Sequence, residues 1–183
     1  MIPVAEPCLS SEDIARAEDC LKTGWISSAG KYIEEFDKGW AAYCQMPHGV
    51  AVCNGSVALD IAGKLLNLKL GDEVILPSFT IIPCAQAITA HGGVPVLVDS
   101  EAGSWQMNVS QIESKITPRT KAIMVVHMYG HPVDMDPVLE ICRKRKLLLI
   151  EDAAEVHGSL YKGRPCGSFG DIVTFSLYAN KLI

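Results

Sequence analysis

Residues 147–155 read Leu147-Leu148-Leu149-Ile150-Glu151-Asp152-Ala153-Ala154-Glu155, an unbroken apolar run that stops abruptly at acids. So short and uniformly apolar a run predicts a strand covered on both faces, because a half-exposed strand would alternate. Similar runs occur at about 49–53, 74–77, 94–98, 121–127 and 172–177. Helical patterns at about 56–68, 80–91, 107–115 and 134–146 separate most of them. Such strands joined by helices predict a three-layer α/β fold around a mostly parallel sheet. Upstream the pattern is helical. Ser10-Ser11-Glu12-Asp13 opens a first helix that Gly24 stops. Ile33, Phe36, Trp40 and Tyr43, spaced by three and four, mark a second, whose aromatics read as core packing rather than a ligand cage. The expected division is a helical arm over 1–45 and a large α/β domain over 46–183.

Bulk composition narrows the function. Hydrophobic residues make up 49% of the 183 and charged residues 20%, as in ordinary globular proteins. A net charge of -5 argues against a nucleic-acid surface, which needs clustered positive charge. The one basic run, Arg143-Lys144-Arg145-Lys146, reads as cations in the last turn of a helix. No segment approaches the roughly 20 apolar residues of a membrane span, and Met1-Ile2-Pro3-Val4-Ala5-Glu6 lacks the features of a secretory leader. The seven cysteines are scattered and form no C-x-x-C pair, so neither a disulfide framework nor a metal site is expected. A reducing cytoplasm is the compartment these features predict.

In an open α/β sheet, ligands lie outside the carboxyl ends of the strands, and there the polar residues collect. Asn54-Gly55-Ser56 follows the first expected strand, Ser78-Phe79-Thr80 the second and Met128-Tyr129-Gly130 a later one. Glu151-Asp152-Ala153-Ala154-Glu155 follows 147–150, and the last strand leads through Ser176 to Asn180-Lys181. Asn54-Gly55-Ser56 could aim backbone N–H groups at a phosphate, although such a turn is more often a plain N-cap. A carboxylate at Asp152 needs a cation or good donors, and a protonated pyridine nitrogen or a neighbouring loop would serve equally. Lys181 could form a Schiff base, although a surface lysine is the commoner case. His131 and His157 read as structural. No G-x-x-x-x-G-K-[ST], G-x-G-x-x-G or G-x-S-x-G occurs, so nucleoside-triphosphate, dinucleotide and serine-hydrolase readings lack their main support.

Taken in order, Gly24-Trp25-Ile26-Ser27-Ser28, Asn54-Gly55-Ser56-Val57-Ala58-Leu59 and Gly71-Asp72-Glu73-Val74-Ile75-Leu76-Pro77-Ser78-Phe79-Thr80 carry a resemblance. So do Tyr129-Gly130-His131-Pro132-Val133-Asp134-Met135, Glu151-Asp152-Ala153-Ala154-Glu155 and Gly167-Ser168-Phe169-Gly170-Asp171 leading to Asn180-Lys181. Together they resemble the DegT/DnrJ/EryC1/StrS family of sugar aminotransferases, from residue 2 to the end. The resemblance implies the aspartate-aminotransferase type of fold, fold type I among pyridoxal 5'-phosphate enzymes. It implies that Lys181 carries the cofactor and moves the proton, that Asp152 pairs with the pyridine nitrogen, and that Glu155 stands near the ring hydroxyl. Gly55, Ser56 and Ser176 would hold the phosphate, and Trp25 and Ser27 would meet the substrate. Ile81 stands where many relatives place an aromatic over the ring. Lysine rather than histidine at 181 favours transamination over the dehydratase branch. The implied reaction moves an amino group, typically from glutamate, to a keto group of a nucleotide-linked sugar, in a homodimer. The match covers the family's front half, with the C-terminal small domain missing, so the expected alternative is an inactive piece acting as a subunit.

Overall fold

The computed structural model describes residues 6–181. Two helices come first, α1 (Ser11–Thr23) and α2 (Lys31–Tyr43). Ser10 caps α1 in a reciprocal box with Asp13, and Gly24 ends it at φ 76, a left-handed conformation that glycine adopts without a steric penalty. Trp40 of α2 packs edge-on to Phe175 at 5.1 Å and lies beside Phe36 and Tyr43, but Ala41 alone is buried on this helix, so the expected core packing of its aromatics is met only in part.

The remaining elements alternate as the apolar runs predict. They are α3 (Gly55–Leu65), β1 (Glu73–Pro77), α4 (Ile82–Thr89), β2 (Val94–Val98), a 3-10 turn (Val109–Gln111) with α5 (Ile112–Lys115), and β3 (Thr120–Val126). Then come α6 (Met135–Arg145), β4 (Leu148–Asp152), the small hairpin β5 (Leu160–Tyr161) and β6 (Arg164–Pro165), and β7 (Ile172–Thr174). Five strands form one parallel sheet in the order β2-β1-β3-β4-β7. The chain builds outward from β1 to β2, then crosses back to β3, which places the switch point between β1 and β3.

Side chains alternate across each strand, and the sheet sorts them into two cores. Leu76, Ala122, Met124 and Ile150 pack with Leu59 of α3 and Cys84 and Ile88 of α4. Ile75, Ile123, Val125 and Leu149 pack with Ile112 of α5 and Val138 and Cys142 of α6. Helices on both faces make the three layers, and they explain the continuous apolar runs Val74-Ile75-Leu76, Ala122-Ile123-Met124-Val125-Val126 and Leu148-Leu149-Ile150 within the central strands. The basic run closes α6, where Arg143, Lys144 and Arg145 complement the carboxyl end of the helix dipole.

Three local expectations are corrected. Residues 49–53 join no ladder, because a strand is defined by cross-strand hydrogen bonds and none of the described residues pairs with them. The amide of Ala51 donates instead to Asp37 Oδ1 at 2.6 Å. β7 ends at Thr174 rather than 177, three residues long and paired only with β4 among the described residues. The 107–115 helix shrinks to the 3-10 turn and four-residue α5, because Asn108 turns its side chain onto the Ser110 amide and starts the turn late. Between the outer side of β7 and residues 49–53 lies a groove of about 610 Å³, lined by Trp40, Val50, Val52, Ile61, Leu65 and Phe175 among others.

Candidate active site

Parallel strands end at a common edge, and the residues expected to do chemistry leave the sheet there. Asp152 closes β4, level with Val126 of β3 and Thr174 of β7. Parity decides its surroundings. Asp152 shares a face with Ile150, toward α3 and α4, whereas Glu151 shares one with Leu149, toward α6.

Glu151 is completely buried and well provided with donors. It accepts from His127 Nε2 at 3.0 Å, Phe169 N at 2.9 Å, Gly170 N at 3.0 Å and Gly167 N. The amide of Val133 donates to His127 Nδ1 at 3.0 Å, so the ring proton sits on Nε2 and points at Glu151. Burial pushes the Glu151 carboxyl up. The His127 hydrogen bond and the amides of Gly167 and Phe169 more than offset it and hold the group below its ordinary value.

Asp152 is equally hidden and far less supported. Its oxygens accept from Ala154 N at 3.1 Å and from the Cys84 thiol at 3.3 Å. Burial drives its carboxyl above the ordinary range, and these donors, with the charge of Lys181, compensate only in part. A buried acid so placed favours a cationic N–H donor.

Lys181, half-buried beyond β7, donates through Nζ to Glu155 Oε1 at 3.1 Å. The other oxygen of Glu155 accepts from Tyr129 N at 3.0 Å, tying the loops after β3 and β4 together. At the start of α3, Asn54 Oδ1 accepts from Val57 N at 2.9 Å, while Ser56 lies exposed in the first turn. Gly55 faces Ser176, and a Cβ built on it would come within 2.9 Å of the Ser176 Cβ. Glycine at 55 therefore lets the N-terminus of α3 approach the Ser176 hydroxyl closely, a cradle of amides and a hydroxyl suited to an anion.

Other expected residues lie apart. Trp25 and Ser27 sit exposed in the loop between α1 and α2, and Trp25 packs on Gly30. No hydrogen bond among the described residues joins them to Asp152, Glu155 or Lys181. Ile81 is the exposed residue before α4. Nearby, Phe79 lies 5.6 Å from Trp105 and 6.1 Å from Tyr129, ring centre to ring centre.

Two parts of this region escape a reading of the sequence. The His127–Glu151 pair joins the residue just past β3 to one on the neighbouring β4, and only the strand pairing reveals it. Cys84 meets Asp152 across 68 positions of sequence, a separation that no local pattern signals.

A parallel α/β sheet with an anion cradle, an underpartnered buried acid and a lysine at its carboxyl edge is an arrangement suited to a ligand with a phosphate and a cationic group. The sequence matches the model of the DegT/DnrJ/EryC1/StrS aminotransferase family over residues 7–183, and the chain belongs to that family. Membership implies pyridoxal phosphate as the cofactor, and the cradle and acid described above fit it.

The chain is 47% identical over 182 residues to GDP-perosamine synthase of Escherichia coli O157:H7, covering all of this chain and 50% of that protein. It is 39% identical over 171 residues to the dTDP-3-amino-3,4,6-trideoxy-alpha-D-glucose transaminase of Streptomyces venezuelae, covering 91% of this chain and 45% of that one. Among solved structures, a Streptococcus pneumoniae protein described as a sugar aminotransferase, in its PLP form, superposes with a TM-score of 0.91 at 31% identity. That match covers 98% of this chain and 50% of the other. The chain spans about half the length of the curated relatives it matches.

Proposed function

We propose that these residues form the cofactor-binding part of a pyridoxal-phosphate-dependent aminotransferase acting on a nucleotide-linked keto sugar, with glutamate as amino donor and a homodimer as the working state. Support comes from the relatives, named as GDP-perosamine synthase and dTDP-sugar transaminase, and from the gathering of Lys181, Glu155, Asp152, Gly55 and Ser176 at one sheet edge. When bound, the cofactor supplies an electron sink that stabilises negative charge on the substrate carbon.

The protein's own groups have separable tasks. Lys181 is the attachment point and the base that moves the proton. Glu155 holds the Lys181 amine by an ion pair, so the lysine must leave this carboxylate before its nitrogen is free to react. Asp152 offers a desolvated carboxylate to the ring nitrogen and keeps that nitrogen protonated. The first-turn amides of α3 and the hydroxyls of Ser56 and Ser176 hold the phosphate, brought together because Gly55 has no side chain to keep them apart. Trp25 and Ser27 are assigned to substrate, reaching it from their exposed loop. The division into a helical arm over 1–45 and a cofactor domain from 46 onward belongs to the same reading.

The carrying observation is the underpartnered Asp152 on the same sheet edge as the Lys181 amine. Treating the protein with pyridoxal phosphate, reducing with borohydride and mapping the adduct tests it. The label is expected on Lys181 and lost in Lys181→Ala, whereas a label on another lysine would overturn the assignment. The groove beside β7 favours a second reading, in which this chain serves as a subunit of a larger assembly without its own chemistry. A folded protein that takes no label at all would favour that reading instead.

A further inference from the structure

Among the described residues, Asp152 has one donor outside its own turn, the thiol of Cys84 at 3.3 Å from Oδ2. Cys84 lies in the first turn of α4, fully buried, with its amide donating to the Ile81 carbonyl. The hydroxyl of Thr80 donates to the same sulfur at 3.2 Å. The sulfur is thereby accepting on one side, and its own proton is left to point at the carboxylate. Burial and the adjacent Asp152 charge push the thiol well above its ordinary range, so it remains a donor at neutral pH.

We propose that Cys84 is a positioning residue for Asp152, a Thr80–Cys84–Asp152 chain in which a deliberately weak donor orients the carboxylate yet leaves it hungry for a proton. A thiol donates less strongly than a hydroxyl, so it aims the Oδ2 oxygen while satisfying little of its charge. What remains unsatisfied is available to a cationic ring nitrogen. The consequence for the cofactor rests on the reading of Asp152 given above, but the hydrogen bond itself can be tested without any cofactor. Other groups acting on Asp152 are His127, just past β3, and Lys181 beyond β7, while Glu151 lies on the opposite face of β4. They are identical in all the variants compared, so differences report on position 84.

The test follows the Asp152 carboxyl by carbon-13 NMR in the cofactor-free chain labelled at aspartate, with the signal assigned by its loss in Asp152→Asn. Cys84→Ser supplies a stronger donor and is expected to lower the titration midpoint. Cys84→Ala removes the donor and is expected to raise it, each by about half a pH unit or more, a threefold change in proton affinity. Thr80→Val should move the midpoint in the same direction as Cys84→Ala by a smaller step. Midpoints that agree within about 0.2 of a unit across wild type and Cys84→Ser would overturn the proposal, as would a higher midpoint in Cys84→Ser. Should Cys84→Ala fail to fold, the serine comparison decides alone. Borohydride capture at Lys181 is scored separately, so a failed cofactor reading and a failed hydrogen bond give different results.

Discussion

Glu151 and Asp152 are neighbours in sequence and opposites in structure. Both are buried at the end of β4, yet one faces His127 and three backbone amides and the other faces a thiol and the amide of Ala154. The difference follows from the pleat, which sends consecutive side chains to opposite faces. Toward α6 the glutamate meets the loop 167–170, folded around it like a nest, and serves as a fastening. Toward α3 and α4 the aspartate meets the Cys84 thiol in an otherwise apolar layer, and its charge is left with little support. Among buried acids, the poorly partnered one marks where a ligand belongs.

The contrast breaks most visibly at Glu151. Removing it in Glu151→Ala leaves His127 and the amides of Gly167, Phe169 and Gly170 without their acceptor. Unfolding in urea should show a loss of about 3–5 kcal/mol, the scale for taking one partner from a buried charged network. A loss below about 1 kcal/mol would remove the fastening role.

Asp152→Asn should separate function from stability. Amino transfer is expected to slow by at least about 10²-fold, as when a preorganised charged group is lost. Folding should be nearly unaffected at low pH and should favour the variant as pH rises. The sign follows from the raised proton affinity of Asp152 in the folded state. Its contribution is complete below the ordinary value of 3.8 and is lost as pH climbs through the folded value. Glu151, held below its ordinary value, behaves oppositely, stabilising above 4.5 and failing as pH falls through its folded value. Urea midpoints of wild type and Asp152→Asn, measured across pH, should therefore diverge upward from the acid end. Parallel curves would show that Asp152 carries no strained charge.

Gly55→Ala should have a smaller effect on stability than Glu151→Ala. The added methyl would press on Ser176 and cost about 1–2 kcal/mol, within the usual range for overpacking. It should also weaken phosphate retention, so pyridoxal phosphate should leave Gly55→Ala faster than wild type in dialysis. Equal retention would place the phosphate elsewhere.

A second contrast separates the centre of the sheet from its β7 flank. Ile75, Ile123, Met124 and Ile150 are sealed by helices on both faces, whereas Val50 and Leu65 stand exposed beside the groove. Trp40 Nε1 and Thr174 Oγ1, both buried near it, find no partner among the described residues. The apolar run at 49–53 reads as a strand for the same reason as the run at 121–127. The difference between them is a neighbour, since β3 has β1 and β4 to bond with and 49–53 has nothing among the described residues.

By itself the sequence determined the layered α/β pattern, most of the helix and strand positions, the strand-end locations of Asp152, Glu155, Ser176 and Lys181, and Gly55 at the start of a helix. These properties are local, set by the apolar period and by residues that start or stop an element. Tertiary structure alone decided which acid faces which layer, that Lys181 pairs with Glu155, that His127 holds Glu151, and that Cys84 reaches Asp152. Such contacts join residues far apart in the chain. They depend on strand order and register, which arise only when the whole sheet assembles.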